Sequence, residues 1–291
     1  MGAHVISFSS LYSLVSMLPF DCMQVPFMQQ AMLGLLLLAP MAAVMGVQVV
    51  NLRMAFFSDA ISHSAFAGVA LGLLFSIDPA ISMPLFGVFV GISIMGTLRH
   101  SALSSDTVIG VFFSAVMAFG LAVVSQHASV ARDLQQFLYG DILTIDEQEL
   151  HWLLALFIAL MLFQLWGFNR LLYISLNSLL ARVHGVRVAL YHYLFAGLLA
   201  LVVMCSVRAV GVLLVTAMLI VPAATARNMA QSAGAMFWWA IVVSLFSAAT
   251  GLILSAQDWM QTASGATIIL VSCGCFLVSA GIAWLRGERL R

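Results

Sequence analysis

The chain has 291 residues, of which 63% are hydrophobic and 8% charged, and its formal net charge is zero. A soluble domain carries about 25% charged and about 45–50% apolar residues, so the composition excludes one, and the balanced charge offers no basic surface to nucleic acid. All eleven positive residues are Arg, and a chain without Lys cannot form a Gly-x-x-x-x-Gly-Lys-Ser/Thr phosphate loop; if ATP drives this protein, another subunit binds it.

Residues 1–26 are mildly apolar and carry no Arg or Lys. A secretory signal needs a positive n-region, so this stretch reads as an N-terminal extension, an interfacial helix at most. Residues 27–291 read as one membrane domain. A spanning helix takes about 20 apolar residues, and such segments fall at 27–50, 54–75, 81–98, 107–125, 150–166, 188–207, 211–224, 235–254 and 263–285. They are uniformly apolar, without the alternation of a barrel strand. The expected fold is all-α, a polytopic helix bundle with eight or nine crossings. Segment 211–224 is short and runs into Pro222. Proline removes a backbone donor and kinks or ends a helix, so a broken or short helix is expected there. Two Gly-x-x-x-Gly pairs, Gly68/Gly72 and Gly87/Gly91, would let helices approach closely.

Arg marks the cytoplasmic side. Arg170, Arg182 and Arg187 lie in one connecting stretch and Arg286, Arg289 and Arg291 in the tail, so both are placed inside. Alternation then puts Arg53 and Arg99 inside as well, and the acidic stretch with Asp141, Asp146, Glu147 and Glu149 outside. The four cysteines, Cys22, Cys205, Cys273 and Cys275, read as small hydrophobes; Cys273 and Cys275 are two apart and point to different sides of a helix.

Asp59 and His63 sit inside the second segment, four apart, and so project from one helix face. Ionisable groups within a membrane helix are costly and usually face the interior or a water path. A carboxylate with an imidazole suits zinc, manganese or ferrous iron better than copper(I). The competing reading is an Asp–His pair that locks two helices together, or an Asp59 that is merely wet at the interface. Two ligands are too few for a closed structural zinc site, and suit a transient stop better, since a transported ion must leave again. The His-Glu-x-x-His of a metalloprotease is absent. Asp106 opens the fourth segment, where acids complement a helix N-terminus. His127, His151 and His192 lie near segment ends and read as surface histidines.

The cytoplasmic stretch 167–188 has an amphipathic middle, with Leu172, Leu176, Leu179, Leu180 and Val183 at helical spacing and Gly185 where a helix would stop. It reads as a surface helix at the headgroups or as a short helix that docks into an ATPase subunit.

Four segments, in order and spacing, resemble the permease subunits of bacterial zinc/manganese/iron(II) ABC importers. They are Arg53-Met-Ala-Phe-Phe-Ser-Asp-Ala-Ile-Ser-His-Ser-Ala-Phe-Ala-Gly-Val-Ala-Leu-Gly, Asp106-Thr-Val-Ile-Gly-Val-Phe-Phe-Ser, Asp133-Leu-Gln-Gln-Phe-Leu-Tyr-Gly-Asp-Ile-Leu, and the stretch from Arg208-Ala-Val-Gly to Val-Pro-Ala-Ala-Thr-Ala-Arg227. The resemblance implies a multi-pass protein of the bacterial inner membrane, surrounded by lipid, that does no covalent chemistry itself. It implies a homodimer of permeases, two ATP-binding cassette subunits inside and a metal-binding protein outside. The cargo is a divalent metal ion, zinc first, with manganese and iron(II) as alternatives; no cofactor is implied in this chain, and ATP belongs to the partner. Asp59 and His63 match the family's intramembrane metal positions. The coupling contact falls on Asn177, Ser178, Leu179, Leu180, Ala181, Arg182 and Gly185. Relatives usually carry Gly at Ser58 and acidic residues at Asn177 and Ser178, so this chain departs from the pattern at both places. The alternative function is an ion- or proton-coupled secondary metal transporter without an ATPase, for which a broken helix at Pro222 would speak.

Overall fold

The computed structural model describes residues 9–17, 19–126, 142–257, 259–260 and 262–287. His127, Asp141, most of the 133–143 motif, Arg289 and Arg291 lie outside the described residues. The α-helices are α1 (Ser9–Ser16), α2 (Pro26–Asn51), α3 (Ala55–Leu74), α4 (Pro79–His100), α5 (Ser105–Gln126), α6 (Glu147–Leu176), α7 (Ser178–Val183), α8 (Val188–Val210), α9 (Val212–Met229), α10 (Ala233–Ser255) and α11 (Ser264–Leu285). Among the described residues there is no strand, and nine helices, all but α1 and α7, are long and apolar enough to cross a membrane. This is the polytopic bundle expected, at the upper of the two crossing numbers.

The bundle is built around α2. Of its most apolar window 83% is buried, against 22% for α11, and it packs on α6, α8, α9 and α10. A helix that is apolar on every side can serve as such a hub. Gly46 allows the closest approach: a methyl group there would run into the backbone carbonyl of Leu219 on α9. The two Gly-x-x-x-Gly pairs do the same elsewhere. A Cβ at Gly68 or Gly72 would meet Met83 or Ser82 of α4, and one at Gly87 or Gly91 would meet Met204 of α8 or Ile61 of α3. The outer surface is apolar, with Leu85, Phe89, Leu165, Trp166, Leu213, Leu270 and Leu277 all exposed. Only hydrocarbon makes such a surface tolerable, because a patch of that extent would aggregate in water.

Of two expectations, one is met in one of its alternatives and the other is corrected. The segment near Pro222 is short but unbroken: α9 runs from Val212 to Met229 straight through the proline. Proline is tolerated in membrane helices where neighbouring helices and hydroxyls compensate, and here Pro222 is buried against α2, α10 and α11. The fifth crossing is longer than its apolar run. It extends from Glu147 to Leu176, ten residues past the expected end at 166. Arg170 can lie within it because its guanidinium rests over the Tyr191 ring, 5.4 Å from the centroid.

Arg208 at the end of α8 pairs with Glu149 at the start of α6, Nε to Oε1 2.8 Å, so these termini share one face of the bundle. Helices α8 and α9 are joined by Gly211 alone, with φ +82°, a left-handed conformation that L side chains rarely adopt.

Candidate metal site

Asp59 and His63 project from the N-terminal half of α3. The sequence 55–74 mixes small residues with the two ionisable ones, and the small residues let α3 sink into the bundle: Ser58, Ala60, Ser62, Ser64, Ala65 and Ala67 are all buried. The three serines satisfy their hydroxyls on α3 itself, donating to the carbonyls of Ala55, Asp59 and Ile61. The hydroxyl of Ser58 is therefore internally satisfied. The one open side of the helix carries Phe56, Asp59, His63 and Phe66 at helical spacing.

His63 Nε2 lies 3.6 Å from Asp59 Oδ1, and the side chains keep 29% and 39% of their exposure. That separation is too long for a hydrogen bond, and both groups belong to one helix. Within this chain the pair therefore does not lock two helices together. The imidazole is instead positioned by Phe113 of α5, whose ring meets it edge-on at 5.2 Å. The result is one carboxylate and one imidazole, close together and half open on one helix. Among the described residues no third His, Cys, Asp or Glu joins them. The chain alone offers a two-point foothold.

Helix α6 stops at Leu176 and α7 begins at Ser178, so the leucine periodicity seen in the sequence spans two helices. Asn177 divides them. Its Oδ1 accepts from the backbone N–H groups of Leu179 and Leu180, at 2.9 and 3.1 Å, which is N-capping. Gly185, φ +78°, ends α7 as the sequence suggested. The Val186 N–H donates to the Ala181 carbonyl and the Gly185 N–H to that of Arg182, both at 3.0 Å, the paired bonds of a Schellman stop. Ala181 is buried with Ile174 and Val188, while Leu179, Leu180 and Val183 are exposed. A six-residue helix, capped at both ends and anchored by one buried methyl, thus holds an apolar face outward. Asn177→Ala is expected to cost about 1 kcal/mol, and the check is hydrogen exchange: the Leu179 and Leu180 amides should exchange about fivefold faster.

Asp106 lies in the first turn of α5, but the capping side chain is Ser104, whose Oγ accepts from the Thr107 N–H at 3.3 Å. Two amides deep in the bundle went unread in the sequence: Gln48 is fully buried with its side chain unpartnered, and Gln164 donates to the sulfur of Met45 at 3.6 Å. Their signal was available, since an amide inside a uniformly apolar run is as anomalous as a charge.

Residues 24–283 match the ABC 3 transport family. The chain is 32% identical to the "High-affinity zinc uptake system membrane protein ZnuB" of Haemophilus influenzae, over 86% of this chain and 95% of that protein. It is 33% identical to the "Manganese import system permease protein ScaB" of Streptococcus parasanguinis, over 89% of this chain and 92% of that one. Among solved structures, "PsaBC from Streptococcus pneumoniae in complex with Fab" superposes with a TM-score of 0.75 at 29% identity, covering 94% of this chain and 95% of that one. With its nine apolar helices, the chain belongs to the ABC 3 transport family and is a multi-pass permease subunit of the inner membrane.

Proposed function

We propose that this permease carries a divalent metal ion inward, zinc first, with manganese and iron(II) as the other members of the class, and that Asp59 and His63 are its foothold within the membrane. The observation that carries the reading is this pair, half open on the one uncovered side of α3 and held by Phe113. Two chains meeting along that side would bring two carboxylates and two imidazoles together, a four-ligand set that zinc accepts. A homodimer is therefore part of the proposal. So are an external metal-binding protein that delivers the ion and two ATP-binding cassette subunits that seat the stretch from Asn177 to Gly185. The exposed Leu179, Leu180 and Val183 suit an apolar socket in such a subunit, with Arg182 at its rim. Relatives named for zinc and manganese systems support the cargo class, and the N/O ligand chemistry does not separate those metals.

The secondary-transporter alternative drew its support from a break at Pro222, and α9 has none. The test is uptake of zinc into inside-facing vesicles that hold the purified complex. Uptake should require ATP on the cytoplasmic side and persist when a protonophore collapses the proton gradient. Uptake that runs without ATP and stops with the protonophore would overturn the ABC reading.

A further inference from the structure

A groove opens on the far side of the bundle from Asp59 and His63, between α10 and α11, with α9 as its floor. It encloses about 250 Å³. Thr225, Val243, Cys275 and Ser279 line its base, and Trp239, Phe246 and Ile282 form its walls. Its base looks polar by residue name but is not polar to an occupant. Thr225 Oγ donates to the Val221 carbonyl at 2.8 Å, and Ser279 Oγ donates to that of Phe276 at 2.8 Å while accepting from Asn228 Nδ2 at 3.1 Å. An alkyl chain lying there would strand no hydrogen-bonding group, and a polar ligand would find few partners.

The groove also has a direction. On α11 its lining residues Cys275, Val278, Ser279 and Ile282 fall on one helical stripe, and the next position on that stripe is Arg286. From Cys275 to Arg286 the helix rises about 16 Å at about 1.5 Å per residue. That is close to one leaflet of a hydrocarbon core about 30 Å thick. The stripe therefore runs from the bilayer centre to the cytoplasmic surface and ends on a cation. Arg286 is exposed, and among the described residues no carboxylate pairs with it. Exposed Trp238 and half-exposed Trp239, at the same end of α10, are residues enriched at headgroup level.

We infer that this groove is a binding site for an anionic phospholipid of the cytoplasmic leaflet, with one acyl chain between Trp239 and Ile282 and the headgroup phosphate at Arg286. Length, apolarity and charge all match that occupant. A second copy of the chain is a poorer fit, because α2 and α9 stand between the groove and the α3–α5 side where the metal pair opens. The site does not depend on which metal is carried.

The test is native mass spectrometry of the importer complex, purified from membranes and titrated with phosphatidylglycerol or phosphatidylethanolamine. The wild type should retain phosphatidylglycerol in preference to phosphatidylethanolamine. Val278→Trp fills the groove from an exposed position and should lower retention of both lipids about fivefold or more. Arg286→Gln should keep the tail and lose the preference, a change of about fivefold for one cation at the membrane surface. Val242→Trp, on the opposite wall, repeats the first result if Val278→Trp yields too little protein. Equal retention of the two lipids by the wild type would overturn the inference. So would retention unchanged in both tryptophan variants, or a photocrosslinker at position 278 that captures a second protein chain in place of lipid.

Discussion

Cells whose only copy of this permease carries Asp59→Ala should lose the metal that the wild type restores, with uptake down by about tenfold or more, the scale on which even supporting groups alter metal affinity. The protein should remain in the membrane. Asp59 and His63 share α3, sit 3.6 Å apart and retain 39% and 29% of their exposure, and exposed ion pairs contribute only about 0–1 kcal/mol to folding. Function and stability are thus separable at this position. Total cell zinc, manganese and iron, measured by mass spectrometry in a deletion strain complemented with each variant at equal membrane level, reads out the first. Thermal unfolding in detergent reads out the second. Asp59→Asn keeps the shape and removes the charge, and should behave like Asp59→Ala. Full metal content with either variant would take Asp59 off the path, and the metal restored by the wild type names the cargo.

Gly46→Leu is the opposite case, a change remote from any ligand that should remove the protein. A side chain at position 46 meets the backbone carbonyl of Leu219, and a backbone cannot swing aside as a side chain can. Relief requires α2 and α9 to part, and α2 is the helix around which the others pack. Overpacking typically costs about 1–3 kcal/mol, occasionally more; a clash with backbone at the hub belongs at the upper end. The expected result is a graded loss of folded permease from membranes, Gly46→Ala less severe than Gly46→Leu, with a parallel fall in unfolding temperature. A Gly46→Leu protein with wild-type abundance and melting would show that the α2–α9 contact is slack.

These two positions also mark what the sequence could and could not disclose. Asp59 and His63 were legible because an ionisable group in an apolar run violates the bilayer's rule locally, with no knowledge of tertiary structure. Gly185 was legible for the same reason, since a helix stop is written in the residues that form it. Gly46 was not, because its neighbour is Leu219, and nothing near it in sequence announces the contact. The end of α6 was misread because Gly167, Asn169 and Arg170 have the composition of a turn. Packing outweighs propensity there, where Leu171 and Ile174 are buried and Tyr191 shelters Arg170. Pro222 was legible in part: α9 is the shortest of the nine long helices, but the surrounding helices keep it continuous through the proline. Glu149 read as part of an acidic stretch and Arg208 as the start of a motif far along the chain, and only the fold makes them a pair.

The lone Gly211 between α8 and α9 limits how this permease can move. Two helices joined through one residue behave as the legs of a pair of compasses: the ends that meet at Gly211 cannot separate, whatever drives them, and any parting of the two must come at their far ends, at Val188 and Met229. The Arg208–Glu149 pair sets the start of α6 beside the same joint. A gap between these two helices can therefore open only at the ends remote from Gly211.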